Sequence, residues 1–218
     1  MNEIQTTSKQ KETTRIQTIL KLSVTAALAS LGIILSAVVI FFPNIEFISV
    51  SIFLITLLFG IEYGLLAAVS VSVVYEFLII PIYGSGGLLI IFKLLCYILL
   101  AIVTGISRRV FVKLSFWELG VFGATFAVIY DIITTLFGQI IVLQRSVTLS
   151  YLIGVLIFGI PFTLAHIIGN FILFSLTRTL INWVISAFQY RGIKLLMLPQ
   201  VQNSTIKKSS SHSSEEVI

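Results

Sequence analysis

The sequence predicts an all-α integral membrane protein, a six-transmembrane-helix bundle with both termini cytoplasmic, and three observations carry that prediction. Of 218 residues, 57% are hydrophobic and 11% charged, whereas a soluble domain carries about 25% charged residues. Apolar runs recur along the chain, and roughly 20 helical residues cross a hydrocarbon core of about 30 Å. Basic residues gather on one side of those runs, as they do in cytoplasmic loops. The mean hydropathy of +1.08 agrees with all three.

Residues 1–20 form a polar arm without a core-forming pattern, expected to be a disordered cytoplasmic tail. The apolar run that follows Lys21 is too long for a signal-peptide core and is expected to be a retained first span. The membrane domain is expected to cover 21–190, and the Ser-rich stretch 191–218 to be a second cytoplasmic tail.

The first span runs from Leu22 to Phe42 and stops at Pro43-Asn44. The second, Phe47 to Phe59, ends at Gly60; it is short and must tilt, thin the bilayer or extend past its polar flanks. The third runs from Gly64 to Ile80, before Pro81 and the turn Tyr83-Gly84-Ser85-Gly86-Gly87. The fourth, Leu88 to Ile106, is closed by Ser107-Arg108-Arg109. The fifth is Leu119 to Leu143. The sixth begins near Tyr151 and leaves the membrane near Arg178, with Pro161 expected to kink it and leave Tyr151 to Gly159 as a half-helix. A five-span arrangement with a re-entrant segment is the alternative.

With the N-terminus inside, the cytoplasmic side holds Lys9, Lys11, Arg15 and Lys21, then Arg108, Arg109 and Lys113, then Arg178 and the basic residues beyond it. The outside holds Arg145 alone, and Lys93 lies within a span. That asymmetry sets the orientation and accounts for the net charge of +5 without any nucleic-acid partner.

Ionisable groups inside apolar spans are the functional signal, because each costs roughly 2.5–3.5 kcal/mol at the bilayer centre on insertion scales. Glu76, Lys93 and Asp131 come from three different spans, and the expected orientation puts all three in the outer half of the membrane. Glu46, at the outer end of the second span, reads as a snorkelling group. Asp131 is too deep and too short to snorkel, so it pairs with Lys93 or meets a ligand. His166 and Asn170, four residues apart, share a helix face and serve as packing contacts or as a pocket floor. Tyr75, Tyr83, Tyr97 and Tyr130 supply rings and hydroxyls beside these charges.

Several chemistries find no motif. No Gly-x-x-x-x-Gly-Lys-[Ser/Thr] occurs, so ATP hydrolysis of the P-loop kind is not expected. The histidines are His166 and His212, too few for a His-based metal cluster. Asp131 is the only aspartate, which argues against an aspartyl protease. Gly84-Ser85-Gly86 lacks a glycine at Tyr83 and sits in an outer turn, which argues against a serine protease. Cys96 stands alone in an apolar run, so no disulfide forms within the chain. No cofactor and no enzymatic activity are expected.

Short motifs point to a family. Phe42-Pro43-Asn44-Ile45-Glu46, then Leu58-Phe59-Gly60 and Tyr63-Gly64, then Tyr130-Asp131, and then Gly159-Ile160-Pro161-Phe162 with His166 and Gly169-Asn170, resemble the membrane S components of energy-coupling factor (ECF) transporters. The resemblance spans Leu22 to Arg178. It implies a six-helix subunit of the plasma membrane that captures a vitamin or related cofactor precursor from outside. It also implies partners: a transmembrane coupling protein and two ATP-binding-cassette ATPases. In that family the first helix presents a small-x-x-x-small face to the coupling protein. Thr25/Ala29 and Ala26/Ser30 match the spacing, with Thr and Ser where Ala is usual. The expected substrate-binding residues are Glu76, Lys93, Asp131, Tyr75, Tyr83, Tyr97, Tyr130, His166 and Asn170. Two other readings stay open, a stand-alone ion-coupled carrier titrating Asp131 and His166, and a membrane scaffold whose polar groups only hold helices together.

Overall fold

The computed structural model describes residues 2–41, 45, 47–83, 89–143 and 148–190. Glu46, the turn at 84–88, Arg145 and the C-terminal tail lie outside the described residues, as does the side chain of Tyr83. Among the described residues every regular element is a helix: α1 (Asn2–Val38), α2 (Ile48–Phe59), α3 (Ile61–Tyr83), α4 (Leu89–Ile106), α5 (Arg108–Phe111), α6 (Phe116–Leu143) and α7 (Leu149–Tyr190).

Five of these, α1, α3, α4, α6 and α7, are long and apolar enough to cross a membrane. Their outward faces carry exposed Ile34, Phe77, Ile106 and Phe158, a surface suited to hydrocarbon rather than water. The protein is a multi-pass membrane protein. Trp117 and Trp183, both largely exposed, lie near the same end of the bundle as Arg108 and Arg178, the pattern of a membrane–water boundary.

The expected second span is a helix of 12 residues, about 18 Å long at 1.5 Å per residue, shorter than those five. Every residue of it is buried. It is enclosed by α1, α3, α4 and α7, as a helix apolar on all sides must be. Its ends are served by protein instead of water. The Phe47 N–H donates to Ser36 Oγ at 2.7 Å at the start. At the other end, Arg108 Nε and Nη2 donate to the Leu57 and Leu58 carbonyls at 2.6 and 2.8 Å. Gly60, at φ 102°, turns the chain there, a conformation glycine adopts without a Cβ clash. A cation at a helix C-terminus also complements its dipole. Burial lowers the Arg108 pKa below its ordinary value, and the guanidinium still stays charged.

Neighbouring helices run antiparallel. Gly120 lies against Ser175, Gly123 against Phe174 and Asp131 against His166, so rising numbers on α6 meet falling numbers on α7. Ile61 meets Gly105 at one end of the α3–α4 pair, and Glu76 meets Lys93 toward the other. Gly32 lies against Ser51 on the α1–α2 pair, and Gly64 against Thr56 on α2–α3. Lipid supplies no hydrophobic drive between helices, so close approach at small residues provides the attraction. Alternating directions bring the polar start of α1 and the last turns of α7 to one end of the bundle.

Two expectations change here. The polar arm is helical from Asn2. No Gly or Pro precedes Gly32 after the first residue, and extending an existing helix avoids the cost of nucleation. Pro161 does not split α7, which runs unbroken for 42 residues. The proline removes one backbone donor, and its neighbours Phe158, Ile160 and Phe162 face outward, where no facing helix wedges the chain apart.

Candidate functional site

The expected polar residues sit on α3, α4, α6 and α7, and the structure joins them in two pairs connected by tyrosines. Lys93 Nζ lies 2.5 Å from Glu76 Oε1, closing the α3–α4 pair across seventeen positions of sequence, |i−j|=17. Glu76 is buried and the Lys93 side chain is 20% exposed. Lys93 therefore does not pair with Asp131, as the sequence suggested it could: a closer carboxylate, facing it from the preceding helix, takes that place.

Asp131 pairs instead with His166. Oδ1 lies 2.8 Å from His166 Nδ1, tying α6 to α7, and both residues are buried. The Asp131 Oδ2 atom is also buried and, among the described residues, has no hydrogen-bond partner. An unmet buried acceptor costs about 1–3 kcal/mol, so that oxygen calls for an explanation.

The tyrosines bridge the pairs. Tyr97 stands one turn after Lys93 on the same face of α4. Its hydroxyl is 3.2 Å from that of Tyr130, the residue before Asp131, and the two rings are 5.5 Å apart. The Tyr130 ring meets His166 edge-on, at 5.5 Å and 84°. Asn170 Nδ2 donates to the His166 carbonyl at 3.3 Å, and its Oδ1 accepts from Ser49 Oγ of α2 at 2.9 Å. Tyr75 is buried in the core beside Glu76 on α3. Side chains from five helices thus lie in one polar layer.

Aromatic rings bound this layer. Toward the end that holds the start of α1 and the last turns of α7, Phe53, Phe111, Phe122 and Phe174 pack ring against ring at 4.6–5.9 Å. Phe174 lies two turns beyond His166 on α7, about 12 Å away. Toward the opposite end, Phe92 and Phe137 stack at 4.3 Å and 8°.

Sequence reading missed Ser49, one of three hydroxyls in the apolar run of α2, and the Arg108 clamp. A guanidinium shortly after Ile106 was counted only as a loop charge, and nothing local to it signals that its partners are carbonyls fifty positions earlier, |i−j|=50. Of the four expected docking residues, Thr25 is buried and Ala29 packs against the α2 core, while Ala26 and Ser30 are exposed. Thr25, Ala29, Gly32 and Ser36 make the stripe on which α1 meets α2.

Among the described residues no group of three or more His, Cys, Asp or Glu is placed to hold a metal ion. No family model, curated protein or solved structure matches the chain.

Proposed function

We propose that the protein is the substrate-binding subunit of an ECF-type uptake transporter, which captures a vitamin or related cofactor precursor in the outer half of the plasma membrane. One observation carries this reading. Polar side chains of α2, α3, α4, α6 and α7 meet in a single buried layer, at a depth where each is costly unless it is used or paired. The motifs resembling S components contribute Tyr130, Asp131, His166 and Asn170 to that layer. The phenylalanine plug on the side of the first turns of α1 favours a binding subunit over an open channel, since it leaves the layer facing away from that end.

In this reading Glu76, Lys93, Asp131, Tyr97 and Tyr130 contact the substrate, with Tyr75, His166 and Asn170 supporting them. The chain hydrolyses nothing itself. A transmembrane coupling protein docks on the exposed Ala26–Ser30 flank of α1, and its ATP-binding-cassette ATPases drive release inward. Both termini face the cytoplasm, where the basic residues gather.

A thermal-shift screen of the detergent-purified chain against vitamins tests the proposal. A ligand at about a hundred times its Kd adds roughly 2.7 kcal/mol of stability, enough to raise Tm by several degrees. A full panel with no shift counts against it.

The Asp131–His166 pair lends weight to a second reading, a stand-alone proton-coupled carrier. Proteoliposomes holding only this chain decide between them. Uptake driven by a pH gradient, without ATPases, favours the carrier.

A further inference from the structure

The two buried pairs differ in what they leave unspent. Glu76 and Lys93 neutralise each other, so neither has a full charge to offer a ligand. Asp131 is in another position. Neutral or protonated, His166 places its Nδ1 on Oδ1, and among the described residues Oδ2 remains a buried acceptor with no donor. The side chain is nine-tenths buried, at 10% exposure. Its surroundings are aromatic: Tyr130 precedes it in sequence, the His166 ring lies edge-on to Tyr130, and Tyr97 lies against Tyr130. Ring faces carry negative potential and attract cations within about 6 Å. Away from water, an acceptor and π faces together favour a donor that carries positive charge.

We infer that Asp131 Oδ2, among Tyr97, Tyr130 and His166, is the recognition point for an N–H-donating group of the substrate, cationic rather than anionic: an amidine, an ammonium or an amino-substituted nitrogen heterocycle. This inference rests on the binding-subunit reading and deepens it, since it assigns the substrate a chemical class and a partner atom. The ion pair on α3–α4 then acts as a wall already satisfied, and discrimination falls to Asp131.

Three probes of nearly one shape separate the alternatives: benzamidine, a cation with N–H donors; benzamide, neutral with N–H donors; and benzoate, an anion with none. Titrated calorimetrically into the full chain in detergent, they are expected to bind in that order. The gap between the first and the last is about tenfold or more, the size of a hydrogen bond to a charged group. Asp131→Asn is expected to level the series, while Lys113→Gln, exposed between α5 and α6, keeps it. An order that survives Asp131→Asn, or benzoate binding as well as benzamidine, overturns the inference and leaves Oδ2 to an internal water. Failure of benzamidine to bind overturns it too. Whether the vitamin panel then still yields a ligand decides the fate of the binding-subunit reading separately. The wild-type series needs no variant, so misfolding of Asp131→Asn does not shield the inference.

Discussion

Asp131 and His166 hold α6 to α7 by one contact of 2.8 Å, between residues 35 positions apart. It sits in the middle of the longest helix pair and beside the tyrosine bridge to α4. The contact is thus both a structural tie and a part of the polar layer, and a double-mutant cycle separates the two roles.

Asp131→Asn and His166→Ala are each expected to lower stability, with a coupling between them of roughly 0.5–3 kcal/mol, the range for residues in one network. Melting temperatures of the two single variants and the double measure it. Strict additivity rejects the direct contact.

The Glu76–Lys93 pair behaves as a unit. Lys93→Met alone leaves a buried carboxylate without its partner, and such breaks cost about 3–5 kcal/mol when fully buried. Part-exposure of Lys93 puts the expected loss at the lower end. Glu76→Gln combined with Lys93→Met removes both charges and should recover most of that loss in the same melting assay.

Close helix contacts predict opposite outcomes at two glycines. A Cβ at Gly123 would fall 2.7 Å from Phe174 Cβ, so Gly123→Ala should force α6 and α7 apart at a cost of about 1–3 kcal/mol. Gly154 has nothing within 4 Å of the same atom. Gly154→Ala is expected to be neutral, or stabilising by up to about 1 kcal/mol through helix propensity.

Arg108 fastens the end of α2. Arg108→Gln should loosen the last turn, with a loss of roughly 1.5–3 kcal/mol for hydrogen bonds made by a charged donor. Arg108→Lys should recover little, because one ammonium cannot reproduce the fork. Amide exchange at residues 57–62 is the readout, and unchanged protection there removes the clamp from the account.

Topology is open to labelling in intact cells. With the buried Cys96 replaced by Ala, a cysteine introduced at Lys113 should react with an impermeant maleimide only after lysis. One introduced at Arg145 should react at once. The reverse result inverts the assigned orientation.

Much of this molecule is legible in the sequence. The α4 boundaries match the expected span to within a residue, because Ser107-Arg108-Arg109 ends an uninterrupted apolar run. The residues of the polar layer could be named in advance for one reason: an Asp, Glu, Lys or His among aliphatic neighbours stands out by its cost alone. Their partners could not be named. Lys93 had two carboxylates in reach by depth, and depth says nothing about which helix lies beside which. Ser49 stayed hidden because a hydroxyl in an apolar helix bonds its own backbone equally well, as Thr56 does to the Ile52 carbonyl at 2.7 Å.

Composition and periodicity alone determined that the chain lives in a membrane as a bundle of helices, since burying or exposing apolar surface to lipid is settled residue by residue. Tertiary structure decided what adds up only between helices. It placed α2, the shortest of the six long helices, at the centre, sent Lys93 to Glu76, and left one oxygen of Asp131 unmet among the described residues. Each of those outcomes depends on which faces come together, and helix neighbours are chosen by the summed fit of many small contacts, which no single position encodes.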